Sequence, residues 1–241
     1  MTDPHPFTEA LLTAYQTRTR VSPETGLPQT RDEALAVQAA VSAARGAVAG
    51  FKVAGQGDAP PILAPIAACD VVQDGGSRPL GDRFAVEMEI GFRLDKPLPQ
   101  DGFPASPQEY FTPHLVLELV DQRIDGAVAE QPLPRLADAQ LNAGLVVGPA
   151  LSDWDGRDFT TLTARLLANG TALLDGEATV PGGSALAHLE LLCASVGDHC
   201  GGLVPGQIVI TGSLCGCPWF DTPTDIEGHV DGFGSIRVRL A

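Results

Sequence analysis

Three glutamates have the residue type and the spacing to bind a divalent metal ion. Glu87 and Glu89 lie two positions apart in an alternating segment, so a β-strand would place both side chains on one face. Glu118 lies in the apolar run 115–120, where an ionised carboxylate needs a neutralising partner. Carboxylate oxygens are the ligands that Mg²⁺ or Mn²⁺ prefers, with coordination positions left for substrate or water. We therefore predict a metal-dependent enzyme that acts on a small oxygen-rich molecule.

The glutamates also allow a structural interpretation. A Glu-x-Glu pair is ordinary on a solvated sheet face, and Arg93 or Arg123 could neutralise Glu118 in a plain ion pair. Three carboxylates considered together favour the metal site, because the burial predicted for Glu118 makes a bare charge there expensive.

Lys52 is the second residue that could take part in chemistry. It is one of only two lysines and follows Phe51 in an apolar segment. A desolvated ammonium has a lowered pKa and can exchange a proton near neutral pH, which an arginine cannot do. Alternatively, the lysine stem packs while its head reaches solvent at a strand end. The residues themselves leave both interpretations open.

Other residues give weaker signals. The five histidines have no ligand spacing, and we interpret His114 and His188 as packed or surface residues. Cys215-x-Cys217 lacks the second pair that a zinc site requires. The sequence contains neither a glycine-rich phosphate loop nor a G-x-S-x-G elbow, so nucleotide binding and serine hydrolysis find no support.

Composition limits the possible partners and the fold. A net charge of −15 argues against nucleic acid or an anionic membrane as a partner. No apolar run is long enough to span a bilayer, the N-terminus lacks signal-peptide features, and five cysteines form no disulfide pattern, so we predict a cytoplasmic protein. The 27 glycines and 20 prolines favour many short strands in a chain of 241 residues.

The pattern of elements predicts an α+β protein. Two helices near the N-terminus, the second opened by a capping box at Thr30 and Glu33, precede a mostly antiparallel β core. Asn169-Gly170 predicts a hairpin, and Ser184 opens a late helix. We place an N-terminal helical cap with the first strands at residues 1–80 and the catalytic β core at residues 81–241.

Several segments together resemble one enzyme family. They occur in the order seen in 2-keto-4-pentenoate hydratases and 2-oxo-3-hexenedioate decarboxylases of the fumarylacetoacetate hydrolase superfamily. The segments are Gly-Phe-Lys-Val-Ala-Gly at 50–55, Val-Glu-Met-Glu-Ile at 86–90, Leu-Glu-Leu-Val-Asp-Gln-Arg-Ile at 117–124, Asn-Ala-Gly-Leu-Val-Val-Gly at 142–148 and Gly-Gln-Ile-Val-Ile-Thr-Gly-Ser at 206–213. The resemblance extends over nearly the whole chain.

The resemblance implies a mixed β roll or sandwich with a helical N-terminal cap, and self-assembly into a homo-oligomer. It implies Mg²⁺ or Mn²⁺ held by Glu87, Glu89 and Glu118. Lys52 would be the proton carrier, and the substrate would be a small 2-oxo acid. Members hydrate 2-hydroxypenta-2,4-dienoate to 4-hydroxy-2-oxopentanoate, or decarboxylate a six-carbon diacid relative, in the degradation of aromatic compounds. A metal can stabilise the enolate charge in such reactions.

The resemblance also suggests secondary site residues, and the sequence departs from the family near some of them. Thr211 and Ser213 resemble substrate-side hydroxyls, and Arg123 is a candidate cation for the substrate. Cys69 stands where the family often has an aspartate, so Asp70, one place later, is the candidate partner of Lys52. The usual Gly-His-Pro-Leu-Asn start of the late helix is Gly-Gly-Ser-Ala-Leu at 182–186.

Hydration is the leading predicted activity, with three alternatives. A cation for a second substrate carboxylate would favour decarboxylation, and Arg78 and Arg123 are the only obvious candidates. An activated water on a carbonyl would favour hydrolysis of an acylpyruvate. The departures from the family pattern also allow a non-catalytic subunit that a metal stabilises.

Overall fold

Two β-sheets and four α-helices make up the described part of this computed structural model, which covers residues 5–23, 25–55, 59–79, 81, 83–100 and 102–241. The helices are α1 (Pro6–Thr17), α2 (Arg31–Arg45), α3 (Pro132–Ala137) and α4 (Ala185–Ser195). The strands are β1 (Val48–Ala54), β2 (Ile62–Ala67), β3 (Val71–Gln73), β4 (Ser77–Arg78), β5 (Phe84–Leu94), β6 (Phe111–Asp121), β7 (Asn142–Ala150), β8 (Thr161–Ala168), β9 (Thr171–Thr179), β10 (Ile208–Ser213), β11 (Trp219–Phe220), β12 (Thr224–Val230) and β13 (Gly234–Leu240).

The larger sheet has eight strands in the order β2-β1-β10-β5-β6-β7-β3, with the short β11 also paired to β5. Pairing is antiparallel except for β1 with β10 and β3 with β7. The smaller sheet has five strands in the order β4-β13-β12-β8-β9. This mixture of sheets and helices confirms the predicted α+β class.

The larger sheet is rolled, because side chains from strands far apart in the strand order pack together. Ile66 of β2, Val116 of β6, Leu145 of β7, and Ile208 and Ile210 of β10 form one buried apolar cluster. Such contact requires strong curvature of the sheet, so one face becomes the inside of a roll. The predicted metal ligands share this inner face, since Glu118 and Val116 are two positions apart on one strand.

The opposite face of the rolled sheet packs against the smaller sheet and forms the main core. In β5 this face carries the apolar half of the predicted alternation, and every member is buried: Phe84, Val86, Met88, Ile90, Phe92 and Leu94. The polar half, including the two glutamates, therefore faces into the roll. The alternation read from the sequence is confirmed.

Helices α1, α2 and α4 lie where the sequence predicts helices, whereas α3 was not predicted. The Thr30 hydroxyl accepts a hydrogen bond of 3.1 Å from the amide of Glu33, and the Glu33 carboxylate accepts one of 2.7 Å from the amide of Gln29. Helices α1, α2 and α3 share a separate apolar cluster. Ser184 caps α4 by accepting a hydrogen bond from the amide of Ala187. No helix in the described ranges is long and apolar enough to cross a membrane.

The predicted hairpin is present, with β8 and β9 joined at Asn169-Gly170. Both residues have positive φ, 48° and 79°, as a tight primed turn requires. Strands β10, β12 and β13 make up most of the C-terminal part of the chain. The division of the chain at residue 80 stays a prediction, and Leu80 itself lies outside the described residues.

Candidate metal centre

The register of β5 and β6 brings the three predicted carboxylates to one place. Glu87 pairs directly with Glu118 across the two antiparallel strands, and Glu89 lies two positions further along the same face. One carboxylate oxygen from each residue lies within 4.8 Å of the other two. Directly opposed like charges destabilise a sheet, so this arrangement requires a compensating group.

The two carboxylate oxygens of Glu118 differ in their hydrogen bonding. Oε1 accepts a hydrogen bond of 2.6 Å from Lys52 Nζ and another of 2.8 Å from Asn142 Nδ2. Oε2 is buried and has no hydrogen-bond partner among the described residues. An unpaired buried carboxylate oxygen is costly unless a cation or a hydrogen-bond donor satisfies it.

The second buried carboxylate is held by the backbone. Oε2 of Glu89 accepts a hydrogen bond of 2.6 Å from the amide of Gly212, at the end of β10. The pairing of β10 with β5 is irregular between Ile210 and Ser213, and this irregularity aims the amide at the carboxylate.

The three carboxylates cannot all be ionised cheaply without a cation. Burial, reinforced by the charge of Glu118, raises the pKa of Glu87 to about 7 even though Lys52 lowers it. Burial and the charges of Glu118 and Glu87 raise the pKa of Glu89 well above its ordinary value. Since two nearby carboxylates compete for ionisation, a divalent cation would relieve both effects.

Lys52 lies beside the carboxylates, but its electrostatics differ from the sequence expectation. Burial lowers its pKa, whereas the charges of Glu118, Glu87 and Glu89 raise it, and the net pKa lies above the ordinary value. The predicted lowering is therefore wrong for this arrangement. Nζ is 2.6 Å from Glu118 and 3.8 Å from Glu87, so Lys52 is an ammonium that partly neutralises the cluster.

The donor set fits a hard divalent cation. It offers three carboxylates, two of them buried, and Glu118 Oε2 lacks any other partner in the described structure. Mg²⁺ and Mn²⁺ take oxygen ligands and keep positions for substrate or water, which the adjoining space could supply. Glu87, Glu89 and Glu118 could therefore hold such an ion.

A cavity of about 530 Å³ opens beside the carboxylates. Lys52, Glu87 and Glu89 line it, as does the predicted substrate residue Ser213. The Ser213 hydroxyl is already engaged, because it donates a hydrogen bond of 2.5 Å to the carbonyl oxygen of Gly216. The cavity is large enough for a small organic acid.

Two other predicted site residues lie away from the cavity wall. Thr211 is fully buried, and its hydroxyl donates a hydrogen bond of 2.9 Å to the carbonyl oxygen of Ile90. Arg123 Nε lies 2.6 Å from Asp138 Oδ1 in a buried ion pair, and its guanidinium stacks over Tyr15 at 4.4 Å. Neither side chain is among the described residues that line the cavity.

Asp70, the predicted partner of Lys52, also lies elsewhere. It is buried between two arginines: Arg45 Nη2 lies 2.6 Å from one carboxylate oxygen, and Arg78 donates to the other. Asp70 immediately precedes β3, at the edge of the rolled sheet. The structure therefore gives Asp70 an ion-pair network and does not bring it to the carboxylate cluster.

The structure adds site residues that the sequence did not assign: Arg135, Cys217 and His188 line the cavity, and Asn142 hydrogen-bonds to Glu118. Asn142 could have been identified from the sequence, because it begins one of the segments on which the family resemblance rests. His188 carried a second signal, because it shares one face of α4 with the buried Ala185 and Leu192. Arg135 and Cys217 come from segments whose position only the tertiary structure fixes.

Solved structures of other proteins have a fold similar to that of this chain. The chain is similar to 4-oxalocrotonate decarboxylase from Pseudomonas putida G7 complexed with magnesium and adipate, with a TM-score of 0.72 and 21% identity over 98% of this chain and 96% of that chain. At this identity the similarity establishes a shared fold, and the fold predicted from the sequence is confirmed.

Two further neighbours share the fold at greater distance. One is 5-carboxymethyl-2-hydroxymuconate delta-isomerase from Mycobacterium smegmatis, with a TM-score of 0.58 and 14% identity over 80% of each chain. The other is fumarylpyruvate hydrolase from Pseudomonas aeruginosa in complex with Mn²⁺ and pyruvate, with a TM-score of 0.53 and 16% identity over 76% of this chain and 80% of that chain. No protein-family model and no curated protein sequence matches the chain.

Proposed function

We propose that the protein is a divalent-metal-dependent hydratase of a small 2-hydroxy-dienoate or 2-oxo-enoate, of the type that converts 2-hydroxypenta-2,4-dienoate to 4-hydroxy-2-oxopentanoate. The observation that supports a metal enzyme most directly is the buried, unpartnered Oε2 of Glu118 within a cluster of three carboxylates beside a cavity. Solved neighbours of this fold are enzymes, among them a decarboxylase crystallised with magnesium and a hydrolase crystallised with Mn²⁺.

The proposed chemistry divides between the ion and the protein. A bound Mg²⁺ or Mn²⁺, held by Glu87, Glu89 and Glu118, would supply positive charge for the carboxylate and 2-oxo oxygens of the substrate. Lys52 fixes Glu118 through Oε1 and keeps a positive charge on the cavity wall, where it can donate a proton or hydrogen bond. Ile62, Val120 and Leu141 give another part of the cavity an apolar wall.

A substrate panel with a matched variant tests the proposal. Ultraviolet absorbance is followed for 2-hydroxypenta-2,4-dienoate, 2-oxo-3-hexenedioate and an acylpyruvate, with and without Mg²⁺. We expect Mg²⁺-dependent turnover of the dienoate. We also expect Glu118→Gln to lower Mn²⁺ affinity by at least about 100-fold, because losing a residue that only supports a metal ligand already costs up to about 100-fold. The exposed Glu190→Gln on α4 is the control, since it makes the same change in charge.

The outcomes of the panel separate the candidates. Full turnover by Glu118→Gln would remove the metal proposal. Silence across the panel in a protein that still binds Mn²⁺ would favour a non-catalytic subunit. Turnover of the acylpyruvate alone would assign a hydrolase.

Decarboxylation of a 2-oxo dicarboxylate is the second candidate, and one residue favours it. Arg135 lines the cavity, and its Nε is buried without a hydrogen-bond partner in the described structure. Its ion pair with Glu130 is loose, at 3.9 Å. A free guanidinium fits a second carboxylate well. The solved decarboxylase neighbour was crystallised with adipate, a dicarboxylate.

The Arg135→Gln variant tests this second candidate. If Arg135 receives a second carboxylate, KM for 2-oxo-3-hexenedioate rises about 10- to 100-fold, the value of a charged hydrogen bond, while KM for the monocarboxylate dienoate is unchanged. Equal effects on both substrates would leave Arg135 without a role in substrate choice. The exposed Arg157→Gln controls for loss of positive charge.

A further inference from the structure

The imidazole of His188 faces the cavity with one nitrogen fixed and the other free. His188 lies in α4 and is 9% exposed. Nδ1 lies 2.8 Å from the carbonyl oxygen of Thr211. A carbonyl oxygen can only accept a hydrogen bond, so Nδ1 carries the proton. In the neutral ring Nε2 is then the unprotonated nitrogen, with a lone pair available.

Nothing in the described part of the protein occupies that lone pair. No described side chain or backbone group hydrogen-bonds to Nε2, although His188 lines the cavity. The Cε1–Nε2 edge lies beside Gly182, where a Cβ atom would stand 3.5 Å from both ring atoms. Gly182 thus leaves this edge of the ring uncovered.

A single peptide unit connects His188 to the carboxylate cluster. The carbonyl of Thr211 accepts from His188, and the amide of the next residue, Gly212, donates to Glu89 over 2.6 Å. The Thr211 hydroxyl anchors this unit to β5 through Ile90. The ring is therefore held in a fixed orientation relative to the candidate metal ligands, as a proton-transfer group must be.

Three of the other polar groups on the cavity wall are committed to hydrogen bonds within the protein. Lys52 donates to Glu118, and Glu89 accepts from Gly212. The Ser213 hydroxyl donates to Gly216. His188 is the one imidazole among the described residues that line the cavity. It is thus a nitrogen base placed where the proposed reaction needs a proton acceptor.

We propose that His188 is a catalytic residue that accepts and returns the proton at carbon 3 of a bound 2-oxo acid. The proposal rests on the proposed function and names a residue for its proton transfer. In the acceptor step the C3–H bond breaks and the proton bonds to Nε2. The C–H electron pair forms the C2–C3 double bond, and the carbonyl π pair moves to the 2-oxygen. The reverse step returns the proton, so no oxidant or reductant is involved.

In hydration of a 2-oxo-3-enoate the same group would serve twice. Nε2 would take a proton from water as the water oxygen bonds to C4 and the electrons of the C3–C4 double bond shift toward the 2-oxygen. The proton would then pass from Nε2 to C3, which completes the addition of one water molecule. Both steps use the same nitrogen, which accepts a proton through its lone pair and then donates that proton to carbon.

Pyruvate serves as a probe that isolates the step at carbon 3. Exchange of its methyl protons in D₂O is followed by ¹H NMR with Mg²⁺ present, and Mn²⁺ binding is measured separately by electron paramagnetic resonance. His188→Asn is the main variant, because its amide can still donate to Thr211 while the base is lost. We expect exchange to fall about 10²- to 10⁴-fold with Mn²⁺ affinity unchanged. The exposed His229→Asn is the control.

Two further measurements address misfolding and orientation. In His188→Ala, added imidazole should restore part of the exchange if the ring acts as a base, which a purely structural role would not allow. In ¹⁵N-histidine-labelled protein, the nitrogen resonances lost in His188→Asn should report a protonated Nδ1 and an unprotonated Nε2. Addition of pyruvate with Mg²⁺ should shift the Nε2 resonance.

The outcomes distinguish this proposal from the proposed function. Wild-type exchange that persists in His188→Asn overturns the role of His188 and leaves the metal enzyme intact. A wild-type protein that binds Mn²⁺ but exchanges no pyruvate protons also overturns it. A wild-type protein that binds no Mn²⁺ overturns the proposed function, and the role of His188 with it.

Discussion

Lys52 Nζ lies 2.6 Å from Glu118 Oε1, although two strands, β10 and β5, separate their strands in the sheet order. Only the curvature of the rolled sheet lets the two side chains meet inside it. The contact uses Oε1 of Glu118 and leaves Oε2 without a partner in the described structure, so Oε2 is the oxygen that could bind a cation.

The Lys52→Met variant should separate metal binding from turnover. We expect Mn²⁺ binding to persist, because the three carboxylates remain, while kcat falls about 10²- to 10⁴-fold through loss of the proton donor. Titration with Mn²⁺ and steady-state kinetics measure the two effects. The control is Lys96→Met, which removes the other lysine from an exposed position. Unchanged kcat in Lys52→Met would exclude a proton-transfer role.

The Glu87→Gln variant should be more stable than the wild type in the absence of metal. The pKa of Glu87 is raised to about 7 by burial and by Glu118, so its ionised form opposes folding near pH 8. Neutralising it should increase the free energy of unfolding by about 3 kcal/mol, from the value of a pKa shift of this size. Urea unfolding in EDTA measures this. Glu190→Gln should change stability by less than about 0.5 kcal/mol.

The stability of the metal-free protein should fall as pH rises from about 5.5 to about 8. Glu87 and Asp138 have pKa values raised to about 7 and about 6, and that of Glu89 is also raised. These three carboxyls bind more protons in the native state than in the unfolded state in this window, so stability decreases as those protons dissociate. The lowered pKa values of His114 and His199 act in the opposite direction, and we expect the three carboxyls to outweigh them. Urea unfolding at several pH values measures it, and a rise in stability would contradict the assigned shifts.

Magnesium should oppose this pH dependence. The cation binds only ionised carboxylates, so it binds more tightly as pH rises and stabilises the native state by mass action. The increase in melting temperature caused by Mg²⁺ should thus be larger at pH 8 than at about pH 5.5. In Glu118→Gln the increase should be small at both values.

The Arg123→Ala variant should affect stability and spare substrate affinity. Arg123 and Asp138 form a buried pair, so truncation leaves a buried carboxylate unpaired and costs about 3–5 kcal/mol. The folded fraction should keep its KM, because Arg123 is not among the described residues that line the cavity. Adding Asp138→Asn should recover part of the lost stability. A raised KM with normal stability would restore the predicted substrate role.

Part of the site could be derived from local sequence. The Glu87-x-Glu89 spacing fixes a shared face in any strand, and the apolar neighbours of Glu118 require burial, because these patterns depend only on strand geometry and desolvation. Capping at Thr30 and the turn at Asn169-Gly170 are likewise local and were predicted correctly. Self-assembly and cytoplasmic location stay predictions.

Tertiary structure decided which other polar residues join the carboxylates. The roll brings Lys52 to Glu118 and raises its pKa, whereas its apolar neighbours alone predict a lowered one. It directs Asp70 to arginines and Arg123 to Asp138, because the nearest opposite charge in space neutralises a buried ion. His188 reaches the cavity through the packing of α4 beside β10. Sequence spacing specifies a side chain's face, but only the folded chain specifies what that face meets.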